Sequence, residues 1–287
     1  MKKKMTKHVV GDVGRYLRQY IDTHKEEKLE VSGVEFSNLG AQGREPLFDV
    51  SRCQKGTIMA YWKDECKNCI VISAPEPGFE IKAPKSLCNY FRGWRLSYLD
   101  VSHLDVSHTT DFSQCFRQFG SLSVGDDGVS SKIIGLEAWD VSEGSDFSFM
   151  FDYFLLSNKA INLNLSSWQF NQKTRISFRG MFYNFAPNAN EVVLNVSGWD
   201  MHGAKNLSTM FKLFAPQAKN VKIYGIEDWR LGNGYIQMRQ AFEDFALKSG
   251  YHLDLSDWAK KCNLKPEMDE FSKGTFFRVK KPVWEIY

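Results

Sequence analysis

Apolar and polar positions alternate in short runs that recur along most of the chain. Leu99-Asp100-Val101, Leu163-Asn164-Leu165, Leu194-Asn195-Val196 and Leu253-Asp254-Leu255 each put every second residue on one face. That alternation predicts short strands buried on one side. Ser, Asp, Gly and Asn then break the pattern, as a turn requires. In the segment Asn206 to Phe214 that follows one such turn, Leu207, Met210, Phe211 and Phe214 are spaced by threes and fours. This spacing predicts a short helix with one apolar face. Asp146 and Ser148, ahead of Phe149-Met150-Phe151, are N-cap candidates for the same helix one copy earlier.

The pattern is periodic. A first large residue follows each strand at Leu104, Trp139, Trp168, Trp199, Trp229 and Trp258, in steps of 29 to 35 residues. A second anchor falls at Phe91, Phe116, Phe151, Phe182, Phe211, Phe242 and Phe271, always 12 to 14 residues after the first where both exist. Phe-x-x-Phe pairs close five copies: Phe116/Phe119, Phe151/Phe154, Phe182/Phe185, Phe211/Phe214 and Phe242/Phe245. One copy is too small to bury its own Trp and two Phe. Stacked copies bury them as a continuous aromatic spine.

The copies Trp139-Asp140-Val141-Ser142 … Met150-Phe151 and Trp199-Asp200-Met201 … Met210-Phe211 carry a resemblance, as does Leu99-Asp100-Val101-Ser102-His103-Leu104-Asp105-Val106-Ser107 before Phe116. They resemble the BspA-like leucine-rich repeat family of bacterial surface proteins, which also occurs in some protists. The resemblance spans about residues 55–275. It weakens after Trp229 and Trp258, where Arg-Leu-Gly and Ala-Lys-Lys replace the Asp-x-Ser turn. It implies an α/β repeat solenoid, leucine-rich-repeat-like, with one short strand and one short helix per repeat of about 30 residues. It also implies a hairpin ahead of the repeats and a non-enzymatic role in holding proteins.

The expected organisation is a cap over 1–85, repeats over 86–276 and a C-terminal strand or cap over 277–287. Within the cap, Val9, Val10, Val13, Tyr16, Leu17, Tyr20 and Ile21 predict a helix over 1–29. A β-hairpin is expected over 57–74, its strands joined by Lys63 to Asn68. Ser121 to Ser131 is polar and glycine-rich and reads as a surface loop. The aromatic tail at Trp284 and Tyr287 is a strand of the cap or a docking peptide.

Composition adds limits. The chain has 287 residues, with 22 Phe and 8 Trp, which the spine accounts for. A net charge of +3 is too small to argue for nucleic acid by itself. Met1-Lys2-Lys3-Lys4 opens like a signal peptide, yet Gly11, Asp12, Arg15 and Arg18 interrupt any apolar run that follows. With no lipobox cysteine and no spanning run, the chain as written is expected in the cytoplasm, or outside the cell had a leader been removed. The six cysteines read as thiols. Cys66 and Cys69 have the spacing of half a zinc site or a redox pair, but the second close pair that zinc requires is missing.

No catalytic constellation emerges. The six histidines fall on different copies without His-Glu-x-x-His, and no Gly-x-Ser-x-Gly elbow occurs. His103 and His108 sit near Asp105 and Asp111 and read as solvated turn residues. Asp140 and Asp200 recur with the period, which suits turn residues better than general acids. No cofactor is expected. The strand residues between the buried ones face outward, giving two ladders: Asn162, Val193, Lys222 and His252, and Asn164, Asn195, Tyr224 and Asp254. Apart from Val193, these are the candidate partner-binding residues, with Tyr224 beside Lys222 as the most anchor-like pair. The expected function is a non-enzymatic protein-binding domain. Its variants are a leaderless intracellular inhibitor that sterically blocks a macromolecular machine and an adhesin-type module that has lost its leader.

Overall fold

The computed structural model describes residues 8–27, 29–63, 68–120, 130–172, 175–259, 264–275 and 279–283. The basic opening, Cys66, most of the 121–131 loop, Cys262, residues 276–278 and the Trp284–Tyr287 tail lie outside them. The chain divides into two compact units. One comprises Met1–Ser86, Leu96–Thr109 and Ser131–Asp140; the other comprises Leu87–Arg95, Thr110–Ser130 and Val141–Tyr287.

The first unit holds the one α-helix of the described residues, Val13–Thr23. Asp12 caps it, its carboxylate accepting from the Arg15 N–H at 2.9 Å. The helix is shorter than the 1–29 span, because His8–Val9 is instead a strand paired with Ile81–Lys82. Val13 and Leu17 are buried, and Tyr20 packs 5.0 Å from Phe48. A six-stranded sheet runs in the order Phe48–Asp49, Met59–Trp62, Cys69–Ser73, Gly33–Phe36, Tyr98–Asp100, Lys132–Ile134. Met59–Trp62 and Cys69–Ser73 pair antiparallel, whereas Gly33–Phe36 pairs parallel with both of its neighbours.

The second unit is made of small parallel sheets. Ala160–Asn164, Glu191–Asn195 and Asn220–Tyr224 form one, and Ile176–Ser177, Ala204–Asn206, Gly234–Gln237 and Leu264–Glu267 form another. In the first of these sheets successive copies lie in unbroken register, with Ile161 opposite Val192 and Val192 opposite Val221, whereas the second shifts register between Ile176 and Ser177. Aromatic rings stack from copy to copy. Phe91, Phe116, Phe151, Phe182, Phe211 and Phe242 form a column with centroids 5.1–5.6 Å apart and planes within 15°. Trp168, Trp199, Trp229 and Trp258 form a second column at 5.9–6.2 Å. Each offset-stacked pair is worth about 0.5–1.5 kcal/mol beyond the area that it buries.

The expectation of a strand-plus-helix solenoid fails. The chain forms small strands in several separate sheets, and no α-helix follows any strand of the repeat among the described residues. The segments assigned to helices are ladders of tight turns. Around Phe211, Met210 N–H donates to Leu207 O, Lys212 N–H to Thr209 O and Phe214 N–H to Phe211 O, all three residues back. The N–H groups of Leu207, Thr209, Phe211 and Leu213 leave the segment altogether. They donate to Gln237, Arg239, Ala241 and Glu243 of the next copy at 2.7–2.9 Å. A helix would need those donors for its own carbonyls four residues back. The turns put Thr209 and Leu213 at φ of 56° and 57°, and the same two positions are left-handed in the neighbouring copies, at Gly180 and Asn184 and at Gln240 and Asp244. A left-handed residue in the second central position makes a type II turn.

The last copy slips by one residue. Phe211 N–H bonds to Ala241 O, the residue before the next anchor, but Phe242 N–H bonds to Phe271 O itself. Ser272, not Phe271, therefore occupies the anchor position, and the Phe242–Phe271 pair is tilted by 59° where the others are nearly parallel.

Charged side chains one residue after the anchor pair between adjacent copies in two places. Arg117 Nε lies 2.8 Å from Asp152 Oδ2, and Lys212 Nζ lies 2.7 Å from Glu243 Oε2. Burial pushes the Asp152 carboxyl up to about 6, against the pull of Arg117. A carboxyl raised in the folded state favours folding most at pH below its unfolded value. That contribution is lost as pH rises from about 4 to about 6. A carbon-13 titration should therefore place the Asp152 midpoint near 6. Arg117→Leu should move it higher still, since only the opposing charge is removed.

Candidate interaction face

The outward face of the sheet Ala160–Asn164, Glu191–Asn195, Asn220–Tyr224 is set by alternation. Its strands bury Ile161/Leu163, Val192/Leu194 and Val221/Ile223, and turn the residues between them out. The register aligns Asn162 with Val193 and Val193 with Lys222. It likewise aligns Asn164 with Asn195 and Asn195 with Tyr224. His252 and Asp254 do not continue this sheet. Leu253–Asp254 pairs with Val279–Lys280 instead. His252 still reaches the face, because it lines one groove of about 630 Å³ together with Val193 and Lys222. Glu191, Lys219, Asn220 and Tyr251 line the same groove, and none of these four was singled out from the sequence.

Several of these residues serve their own turns. Asn164 Oδ1 accepts from Ser166 N–H at 3.2 Å, Asn195 Oδ1 from Ser197 N–H at 3.1 Å and Asp254 Oδ1 from Ser256 N–H at 2.9 Å. Asp100, Asp105, Asp111 and Asp146 do the same for the serine two residues on. These are Asx turns, in which the side chain replaces a backbone acceptor. Asp254 is held at about 2 by Ser256 and by Lys280, whose Nζ lies 2.9 Å from Oδ2.

Tyr224 occupies the Asx position of its copy but cannot make the bond. Gly225 takes over the turn at φ 95°. A Cβ there would lie 2.3 Å from Ser197 Cα in the preceding copy. Gly135 plays the same part in the first unit, after Ile134, with Ser102 N 2.3 Å from its missing Cβ. The glycine leaves Tyr224 without a turn to build, and the ring stands 48% exposed. Behind the groove, Tyr251 is fixed by its hydroxyl, which donates to Ile223 O at 3.1 Å. Burial pushes that phenol far up, so it remains a donor.

Other candidate chemistry is dispersed. Asp105 pairs with Lys82 at 2.9 Å, and His202 contacts Asp200 within its own turn. Cys69 is buried in its strand. Among the described residues no three His, Cys, Asp or Glu side chains converge on a metal position. No described helix is long and apolar enough to cross a membrane.

No curated protein and no solved structure matches the chain. A family model described as Mycoplasma protein of unknown function, DUF285, matches residues 85–244. The match runs from the first turn ladder, before Phe91, through the sixth, which contains Phe242, and so takes in the whole three-stranded face. It covers more than half of the sequence, and the chain belongs to the DUF285 family.

Proposed function

We propose that the chain is a non-enzymatic recognition domain that binds another protein through the outward face of the Ala160–Tyr224 sheet. The observation that carries this reading is the release of Tyr224. In a position that other copies use for an Asx turn, this copy substitutes a half-exposed aromatic ring and moves the turn to Gly225. The ring contributes nothing to the aromatic columns, whose members are buried. Exposed tyrosines set in a flat polar surround are frequent anchors of protein interfaces. Lys222, two residues earlier on the same strand, faces the same way.

The test is retention of bound protein from a lysate of the native host on the immobilised chain. Changing Tyr224 and Lys222 together to Ala should abolish recovery of a specific band. An interface anchor of this type is worth roughly 2 kcal/mol, which is more than tenfold in affinity. The Leu39→Ala variant, altered at an exposed apolar residue of the other unit, should recover the band unchanged. An unaltered set of bound proteins in the double variant sinks the proposal.

A further inference from the structure

The charges on this face point to the chemistry of its occupant. Lys219 and Lys222 are exposed and line the groove. Neither makes an ion pair among the described residues. That sets them apart from Lys63, Lys82, Lys212, Lys273 and Lys280, each of which holds a carboxylate within 2.9 Å. His252 adds a third nitrogen group to the groove wall. Glu191 is the one acid lining it, and its carboxylate already accepts from Asn220 Nδ2 at 3.3 Å. The face therefore carries unneutralised positive charge beside an exposed aromatic ring.

We infer that the groove takes an extended acidic segment of a partner protein, its carboxylates on Lys219 and Lys222 and its chain across the strand face. This rests on the recognition role proposed for the same face. Asn162 and Asn220 are exposed there and offer amides that pair with both the N–H and the C=O of a peptide group. Nucleic acid suits the face less well. A single-strand platform interleaves several aromatic rings with its cations, whereas Tyr224 is the one exposed aromatic on this sheet.

Fluorescence anisotropy of the full chain with three labelled probes tests the inference: an alternating Glu-Thr decapeptide, the matching Lys-Thr decapeptide and an oligothymidylate. The Glu peptide should bind and the Lys peptide should not. Changing Lys219 and Lys222 together to Gln should weaken the Glu peptide by about tenfold or more. Changing both to Glu should reverse the preference in favour of the Lys peptide. Both residues are exposed, so these variants should melt with the parent. The inference is overturned if the Glu peptide fails to bind, if its binding ignores both lysines, or if the oligothymidylate binds more tightly through them. Failure of the peptides while protein capture still depends on Tyr224 and Lys222 removes the acidic class and leaves the recognition face standing. Failure of both experiments removes both.

Discussion

Gly225→Ala should destabilise the fold by roughly 2–5 kcal/mol, read as a fall in the urea midpoint at constant slope. Two effects add at this position. A left-handed backbone costs a side-chain-bearing residue about 1–2 kcal/mol. The new methyl would also meet Ser197 Cα at 2.3 Å and Ser197 N at 2.6 Å, which are backbone atoms that move only if a neighbouring copy moves. Overpacking of that sort costs a further 1–3 kcal/mol or so. Gly198→Ala separates the two effects. Its φ is 80°, but the nearest atom is Ser166 O at an ordinary 3.7 Å. It should show only the conformational part, about 1–2 kcal/mol. Equal losses at the two glycines would show that the Ser197 backbone yields to the new methyl without cost, and would overturn the overpacking argument.

Trp199→Ala should lose about 3–5 kcal/mol. The indole lies between Trp168 and Trp229 at 6.2 and 5.9 Å and meets the Phe170 ring edge-to-face at 5.0 Å. Its N–H donates to Leu165 O of the preceding copy at 2.7 Å. Removing it opens a cavity in the middle of the column, between two rings that are themselves buried. Replacement by Phe divides packing from hydrogen bonding. Trp199→Phe should cost about 1 kcal/mol more than Trp229→Phe, because the Trp229 N–H has no partner to lose. Thermal unfolding of the three variants measures the difference. A Trp229→Phe loss as large as that of Trp199→Phe would refute the assigned hydrogen bond.

Much of the candidate face could be read from spacing. A strand of period two fixes which residues face out, and repeats 29 to 31 residues long bring Asn162, Val193 and Lys222, or Asn164, Asn195 and Tyr224, to the same height. The extension to His252 and Asp254 did not follow. A strand's partner depends on which edge is nearest in space, and Leu253–Asp254 found Val279–Lys280. Lys219 and Asn220 escaped notice because they flank the alternating core of the strand. Gly225 was the available signal. A glycine replacing the residue that precedes Ser in Asn-Val-Ser or Asp-Leu-Ser marks a turn that has lost its side-chain acceptor.

The sequence alone determines the ring columns, since large aromatics at a constant period have nowhere to go except onto one another. It also determines the outward ladders of the three long strands. It could not decide between helix and turn in the anchor segments. Leu207, Met210, Phe211 and Phe214 show the same three- and four-residue spacing in a helix and in consecutive turns that each close three residues back. The difference lies in whether Thr209 and Leu213 donate within their own segment or to the next copy, and neither residue type signals a left-handed backbone. That choice belongs to the tertiary structure. Only when copies are stacked does a neighbouring row of carbonyls exist to accept those bonds, and only then do they outweigh the strain of the turns.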